Sequence, residues 1–152
     1  MRIPLLISFL ALPLCAAAQT QVVASGHLKT APGIGGDAQT GYAFTKGDVI
    51  TIKASASKQL DRMLVLIDPD EEVGRVRATK EPQYTFTMPH NGIVVFRFIS
   101  DRGHTNEINY TVTRVPASAS VANYDTRVIW EKPPAGKPGS LIPRRAADVA
   151  NR

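Results

Sequence analysis

The sequence predicts an all-β fold: an antiparallel β-sandwich, jelly-roll-like, with about eight or nine strands. Three observations point there. Apolar and polar residues alternate with a period of two through short segments, most cleanly in QYTFTM (83–88) and IVVFRFIS (93–100). Turn-forming residues, among them 11 Gly and 11 Pro, interrupt the chain every 8 to 12 residues or so. No long stretch has the apolar spacing of an amphipathic helix. A sheet with one apolar face must cover it, and a second sheet does so without helices.

The segments follow in order. Residues 21–29 form a first strand with Val22, Ala24 and Leu28 on one side, and the Gly- and Pro-rich TAPGIGGDAQ (30–39) is a loop. Residues 41–45 place Tyr42 and Phe44 on one face. Lys46-Gly47-Asp48 turns the chain into VITIKA (49–54), whose β-branched alternation marks a strand. RMLVLI (62–67) is apolar on both faces, so it belongs in a central position with something over its second side. Asp68-Pro69-Asp70 ends it, and residues 73–78 return as its hairpin partner. In 83–88 Tyr84, Phe86 and Met88 face inward. After the Pro89–Gly92 turn, Val94, Phe96 and Phe98 do the same, with Ile93, Val95 and Arg97 on the other face. INYTVTRV (108–115) aligns Ile108, Tyr110 and Val112. Residues 124–130 form a last strand aligning Tyr124, Thr126, Val128 and Trp130.

The ends of the chain differ from this body. Residues 1–18 read as a secretory signal peptide: Arg2, an apolar run to Leu14, then Ala16-Ala17-Ala18 before the expected cut. The run is shorter than the roughly 20 apolar residues of a membrane span. Cys15, the single cysteine, follows the large Leu14, which argues against lipidation. The expected location is therefore exported: periplasmic, cell surface or extracellular. The sandwich domain is expected over 19–132. PPAGKPGS (133–140) has the composition of a linker, so 133–152 is expected to be a flexible basic C-terminal tail. The chain carries a net charge of +5. Acids and bases nearly cancel between Tyr42 and Arg114, so the excess lies largely in the tail and does not indicate nucleic acid.

Three blocks carry a resemblance: GYAFTKGDVITI (41–52), MLVLIDPDEEV (63–73), and YTFTMPHNGIVVFRF (84–98) followed by NEINYTVTRV. Together they resemble the jelly-roll-like β-sandwich modules of secreted bacterial proteins, of the pre-peptidase C-terminal type and the GOLD type. The resemblance covers the strands and turns and implies an accessory or binding role. It assigns no catalytic residue.

Chemistry-bearing patterns are sparse. His27, His90 and His104 lie far apart, no serine sits in a nucleophile motif, and the glycines at 33, 35 and 36 lack the Lys-Ser/Thr of a phosphate loop. The chain is expected not to be an enzyme and to need no cofactor. Asp68, Asp70, Glu71 and Glu72 offer hard oxygen ligands that could hold calcium, although an ordinary solvated turn is the favoured reading. Arg75, Arg77 and Arg97 would form a basic strip if their strands share a sheet, and Tyr124 and Trp130 could stack on a sugar or anchor a protein contact. The expected function is a secreted, non-enzymatic module binding a protein or glycan partner. The alternatives are a structural subunit of an envelope or surface assembly docking through its C-terminal tail, and a hydrolase without a recognisable site motif.

Overall fold

A computed structural model describes residues 19–32, 37–100, 104–137 and 139–151; residues 1–18, expected from the sequence to be a signal peptide, lie outside the described residues. Eight strands build two four-stranded antiparallel sheets: β1 (Gln21–Lys29), β2 (Ala38–Phe44), β3 (Val49–Ala56), β4 (Leu60–Ile67), β5 (Glu71–Thr79), β6 (Gln83–Thr87), β7 (Gly92–Ser100) and β8 (Glu107–Val115). One sheet has the order β1-β8-β3-β6 and the other β2-β7-β4-β5. Every connection crosses between the sheets except the β4–β5 hairpin. This interleaving is the jelly-roll arrangement. The Pro89–Gly92 turn is therefore a crossover, not a hairpin.

The core fills the space between the sheets. Ile50, Ile52, Ile108 and Val112 from the first sheet meet Phe44, Met63, Val65, Ile67, Val94, Phe96 and Phe98 from the second, all fully or nearly fully buried. Toward the β1 and β2 side a polar contact spans the two layers: the Tyr42 and Tyr110 hydroxyls lie 2.8 Å apart, with Thr40 Oγ1 3.1 Å from Tyr42. Burial pushes the Tyr42 pKa up to about 12.

Two irregularities set the edges. A bulge between Val22 and Ala24 shifts the phase of β1. Val22, placed by the sequence on one side with Ala24 and Leu28, is 68% exposed, whereas Val23 and Leu28 pack on the core. A second bulge in β5 falls where Val65 faces Gly74 and Leu66 faces Glu72, leaving Val73 as the extra residue. The Val73 carbonyl accepts a hydrogen bond from the Tyr84 hydroxyl at 2.8 Å. The Tyr84 ring lies against Gly74, where a Cβ would come within 2.2 Å of it.

The C-terminal segment departs most from expectation. Residues 142–150 do not form a loose tail. β9 (Val128–Glu131) pairs antiparallel with β10 (Ile142–Arg145), and a short helix, α1 (Ala146–Ala150), follows. Backbone pairing with β9 supplies what local propensity lacks in IPRR. Trp130, Val128 and Tyr124 pack on Ala43, Leu66, Ile93 and Val95, on the outer face of the second sheet. The hairpin lies over β2 and β7, and of the apolar second face of β4 only Leu66 joins its cluster.

Candidate functional site

The outer face of the β2-β7-β4-β5 sheet carries the side chains singled out in the sequence. Leu64 of β4 lies between Arg75 of β5 and Arg97 of β7, so these two arginines share a row two strands, or about 10 Å, apart. Arg77 stands one row along, opposite Arg62. The strip is not a bare basic surface. Arg75 makes a two-pronged ion pair with Glu72, Nε–Oε1 3.0 Å and Nη2–Oε2 2.8 Å, and Arg97 pairs with Asp37. Arg75 and Arg77 stay exposed on the edge strand, while Arg97 points into a hollow beneath the C-terminal hairpin.

That hollow holds about 200 Å³. Three parts of the chain wall it: Gln39, Leu66, Val95 and Arg97 from the sheet, Asp68, Pro69 and Asp70 from the β4–β5 turn, and Trp130, Ser140, Leu141 and Pro143 from the C-terminal hairpin and the segment leading into it. The turn is anchored by the Asp68 N–H, which donates to the Ile93 carbonyl at 2.9 Å. Burial raises the Asp68 carboxyl pKa above its ordinary value; the Arg144 charge opposes the rise and the Asp70 charge adds to it. Trp130 enters because Gly41 leaves room: a Cβ there would lie 3.1 Å from the indole.

Of the nine residues singled out, the structure brings Asp68, Asp70, Arg97 and Trp130 to one place. Tyr124 lies beside them under the hairpin, partly buried, its hydroxyl 3.4 Å from Arg145 Nη1. The four-carboxylate calcium set is not assembled. Glu71 turns to His90, Oε2–Nε2 2.7 Å, and Glu72 to Arg75. Among the described residues no three His, Cys, Asp or Glu side chains converge as a metal site would require. Nor, among them, does a histidine hydrogen-bond a serine or threonine hydroxyl: His27 pairs with Glu107 and His90 with Glu71.

Larger hollows exist: one of about 230 Å³ between Asp61, Arg62 and Arg77, beside the arginine strip, and two bigger still. One, of about 620 Å³, lies along Ser25, Lys53, Gln83 and Thr111 of the other sheet. Its aromatic residue, Tyr110, is committed to Tyr42 between the layers. The other, of about 440 Å³, lies beside Lys58, Leu60, Asp61, His104 and Asn106 and has no Phe, Tyr or Trp in its lining.

The sequence reading missed two polar clusters, both structural. Asp48 is wholly buried, accepting from the Thr45 N–H and the Ala117 N–H at 3.0 Å each, with Arg114 Nη1 3.6 Å away. Arg114 stands in the inward phase of β8, two residues beyond Val112, and a charge in that phase was the available signal. Asn106, also wholly buried, accepts from Ser57 Oγ and the Lys58 N–H at 2.9 Å each and donates to the Lys58 carbonyl at 2.8 Å. Both clusters fasten loops to the sandwich.

No family model matches the chain, and no curated relative matches it. Several solved structures are similar in outline. A periplasmic inhibitor of g-type lysozyme, PliG from Aeromonas hydrophila, aligns with 14% identity and a TM-score of 0.48, over 68% of this chain and 92% of that one. A family two carbohydrate esterase from Cellvibrio japonicus aligns with 21% identity and a TM-score of 0.35, over 68% of this chain and 34% of the esterase. A Bacillus endospore appendage protein, from disulfide-linked pili, aligns with 11% identity and a TM-score of 0.30, over 69% of this chain and 97% of that one. Likenesses at this level carry no argument about activity. What stands of the resemblance read from the sequence is its architecture: the chain is an antiparallel, jelly-roll-like β-sandwich.

Proposed function

We propose that this chain is an exported, non-enzymatic binding module that recognises its partner at the hollow between the β2-β7-β4-β5 sheet and the C-terminal hairpin. The observation that carries the reading is convergence. One indole, one guanidinium and two carboxylates, from positions 68 to 130 of the chain, meet in one small, largely polar concavity. A few convergent polar groups beside an aromatic side chain are the parts that orient a ligand in a binding site. Elsewhere on this sheet Arg75 and Arg77 stand exposed on the β5 edge strand. The leader sequence supports export. No helix among the described residues is long and apolar enough to cross a membrane.

The test is retention of the full mature chain on immobilised envelope material from its own host. Arg97→Met and Asp70→Asn should each abolish retention, while Arg75→Ala and Arg77→Ala on the β5 edge should leave it intact. A second reading, docking into an assembly through the C-terminal segment, is favoured by Ile129 and Leu141, which are 42% and 46% exposed on and beside the hairpin. It predicts a different pattern: loss with Ile129→Ser, outside the hollow, and none with Asp70→Asn.

A further inference from the structure

We infer that the outer edge of β1 pairs antiparallel with the same edge of a second copy of this chain, joining the two four-stranded β1-β8-β3-β6 sheets into one. The register shows which backbone groups are free to do so. The Thr30 N–H donates to the Asn106 carbonyl at 3.0 Å, and on the other side of β8 the Ser57 N–H donates to the Glu107 carbonyl at 2.9 Å. Hydrogen bonding alternates along an antiparallel pair. Gly26 and Leu28 therefore bond to β8, while Ser25, His27 and Lys29 turn their N–H and C=O groups outward. The bulge ends at Ala24, and the register from there to Lys29 is unbroken.

The other three sheet edges are guarded. On β2 the Ala43 N–H donates to the Thr126 carbonyl at 2.9 Å. β5 carries the bulge at Val73, Ala78 at a φ of 44°, and the charges of Glu71, Glu72, Arg75 and Arg77. Bulges and charges of this kind keep edge strands from pairing. β6 is only five residues long and lies between Pro82 and Pro89. β1 has nine residues, no proline, and one lysine at its end.

A second copy fits this edge because β1 is complementary to itself. A two-fold axis at His27 sets Ser25 against Lys29 of the second copy, and Gly26 against its Leu28. Each small residue meets a large one. The Tyr110 ring already fills the space over Gly26, where a Cβ would lie 2.7 Å from its hydroxyl, so Leu28 of the second copy closes against that ring. Charge does not oppose the pairing. His27 and Lys29 each lie on Glu107 of their own copy, at 2.7 and 3.0 Å. The two lysines stand four residues apart along the strands, about 13 Å, beyond the ~8 Å Debye length of physiological salt. The three outward residues of each copy give about six backbone hydrogen bonds. A contact this small is of the weak, reversible kind.

Sedimentation of the full mature chain from ~1 μM to ~1 mM tests the pairing, with amide hydrogen exchange measured at both ends of that range. The expected result is reversible dimerisation. Exchange at the Ser25, His27 and Lys29 amides should slow as concentration rises, while Gly26 and Leu28 stay protected throughout. His27→Pro removes the N–H on the axis and no bond to β8, so it should weaken dimerisation at least tenfold and leave a monomer that still unfolds cooperatively on heating. Thr85→Pro makes the same change on the β6 edge and should leave the dimer intact. His27→Lys keeps the backbone and sets two ammonium groups face to face. It should weaken dimerisation about tenfold, with recovery in high salt, a signature that only self-pairing gives. A monomer across the whole range, a dimer that survives His27→Pro or His27→Lys unchanged, or one lost with Thr85→Pro overturns the proposal.

Discussion

Removing the Asp48 carboxylate should destabilise the fold severely, because it isolates a buried cation. Asp48 is 0% exposed and Arg114 3%. Arg114 Nε and Nη2 hydrogen-bond Gln21 Oε1 at 3.2 and 2.7 Å, and Nη2 also reaches the Ala122 carbonyl at 2.8 Å. Among the described residues its Nη1 has no hydrogen-bond partner and is balanced by Asp48, 3.6 Å away. Asp48→Ala leaves that guanidinium buried without its counter-charge and strips two backbone N–H groups of their acceptor. Breaking a buried pair from one side costs about 3–5 kcal/mol, and the orphaned donors place this case toward the upper end. Domains of this kind have about 5–15 kcal/mol in total. Urea unfolding of Asp48→Ala, Arg114→Met and the double variant gives the test. The double variant should lose less than the sum of the singles, by about 0.5–3 kcal/mol. Additive losses, or an Asp48→Ala cost below about 1 kcal/mol, would refute the pairing argument.

Three further outcomes are expected. Phe96→Ala should cost about 3–5 kcal/mol in urea unfolding, because the ring is fully buried between the sheets, whereas Thr85→Ala, on the outer face of β6, should cost under about 1 kcal/mol. Tyr84→Phe should cost about 1 kcal/mol through the lost bond to the Val73 carbonyl, and Gly74→Ala should cost more because its methyl displaces the Tyr84 ring; a neutral Gly74→Ala would show that the bulge does not depend on this contact. The bond to Glu71, with help from the Asn91 carbonyl, raises the His90 pKa. The resulting stabilisation is fully present below the unfolded histidine pKa of about 6.5 and disappears as pH rises through the higher folded value. NMR titration of His90 should give a pKa above that unfolded value, and Glu71→Gln should bring it back down.

Much of the sandwich was legible because its strands alternate cleanly. In β6 and β7, Tyr84, Phe86, Val94, Phe96 and Phe98 occupy the inward phase that their spacing assigns. The apolar second face of β4 announced a cover, and of that face only Leu66 joins the hairpin's cluster. Pairing order was less legible: local turn chemistry at Pro89–Gly92 specifies a reversal, and only the packing of both layers makes it a crossover between sheets. The C-terminal hairpin was missed for a related reason. Pro143 and the linker-like residues before it weaken any local strand signal, and β10 is held by pairing to β9 rather than by its own propensity. The bulge at Val22 inverted one facing assignment, since a single extra residue flips the phase of the residues beside it.

The candidate site was legible as residues and not as a place. Asp68 and Asp70 drew notice as part of an acidic run, Arg97 as part of a basic strip, and Trp130 as a lone aromatic. Neither the run nor the strip survives as a unit, because Glu71, Glu72 and Arg75 are taken up by neighbours. The hollow arises only when the hairpin folds back over β2 and β7, a contact between segments separated by dozens of residues that no local pattern encodes.

The central claim is that recognition resides in this hollow and not along the exposed β5 edge. Retention of the full mature chain on host envelope material, compared between Arg97→Met and Arg75→Ala with Arg77→Ala, tests it most directly. Loss in the first variant with retention in the second is the predicted result. Retention in the first, or loss only in the second, would contradict the claim and move the binding surface to the sheet edge.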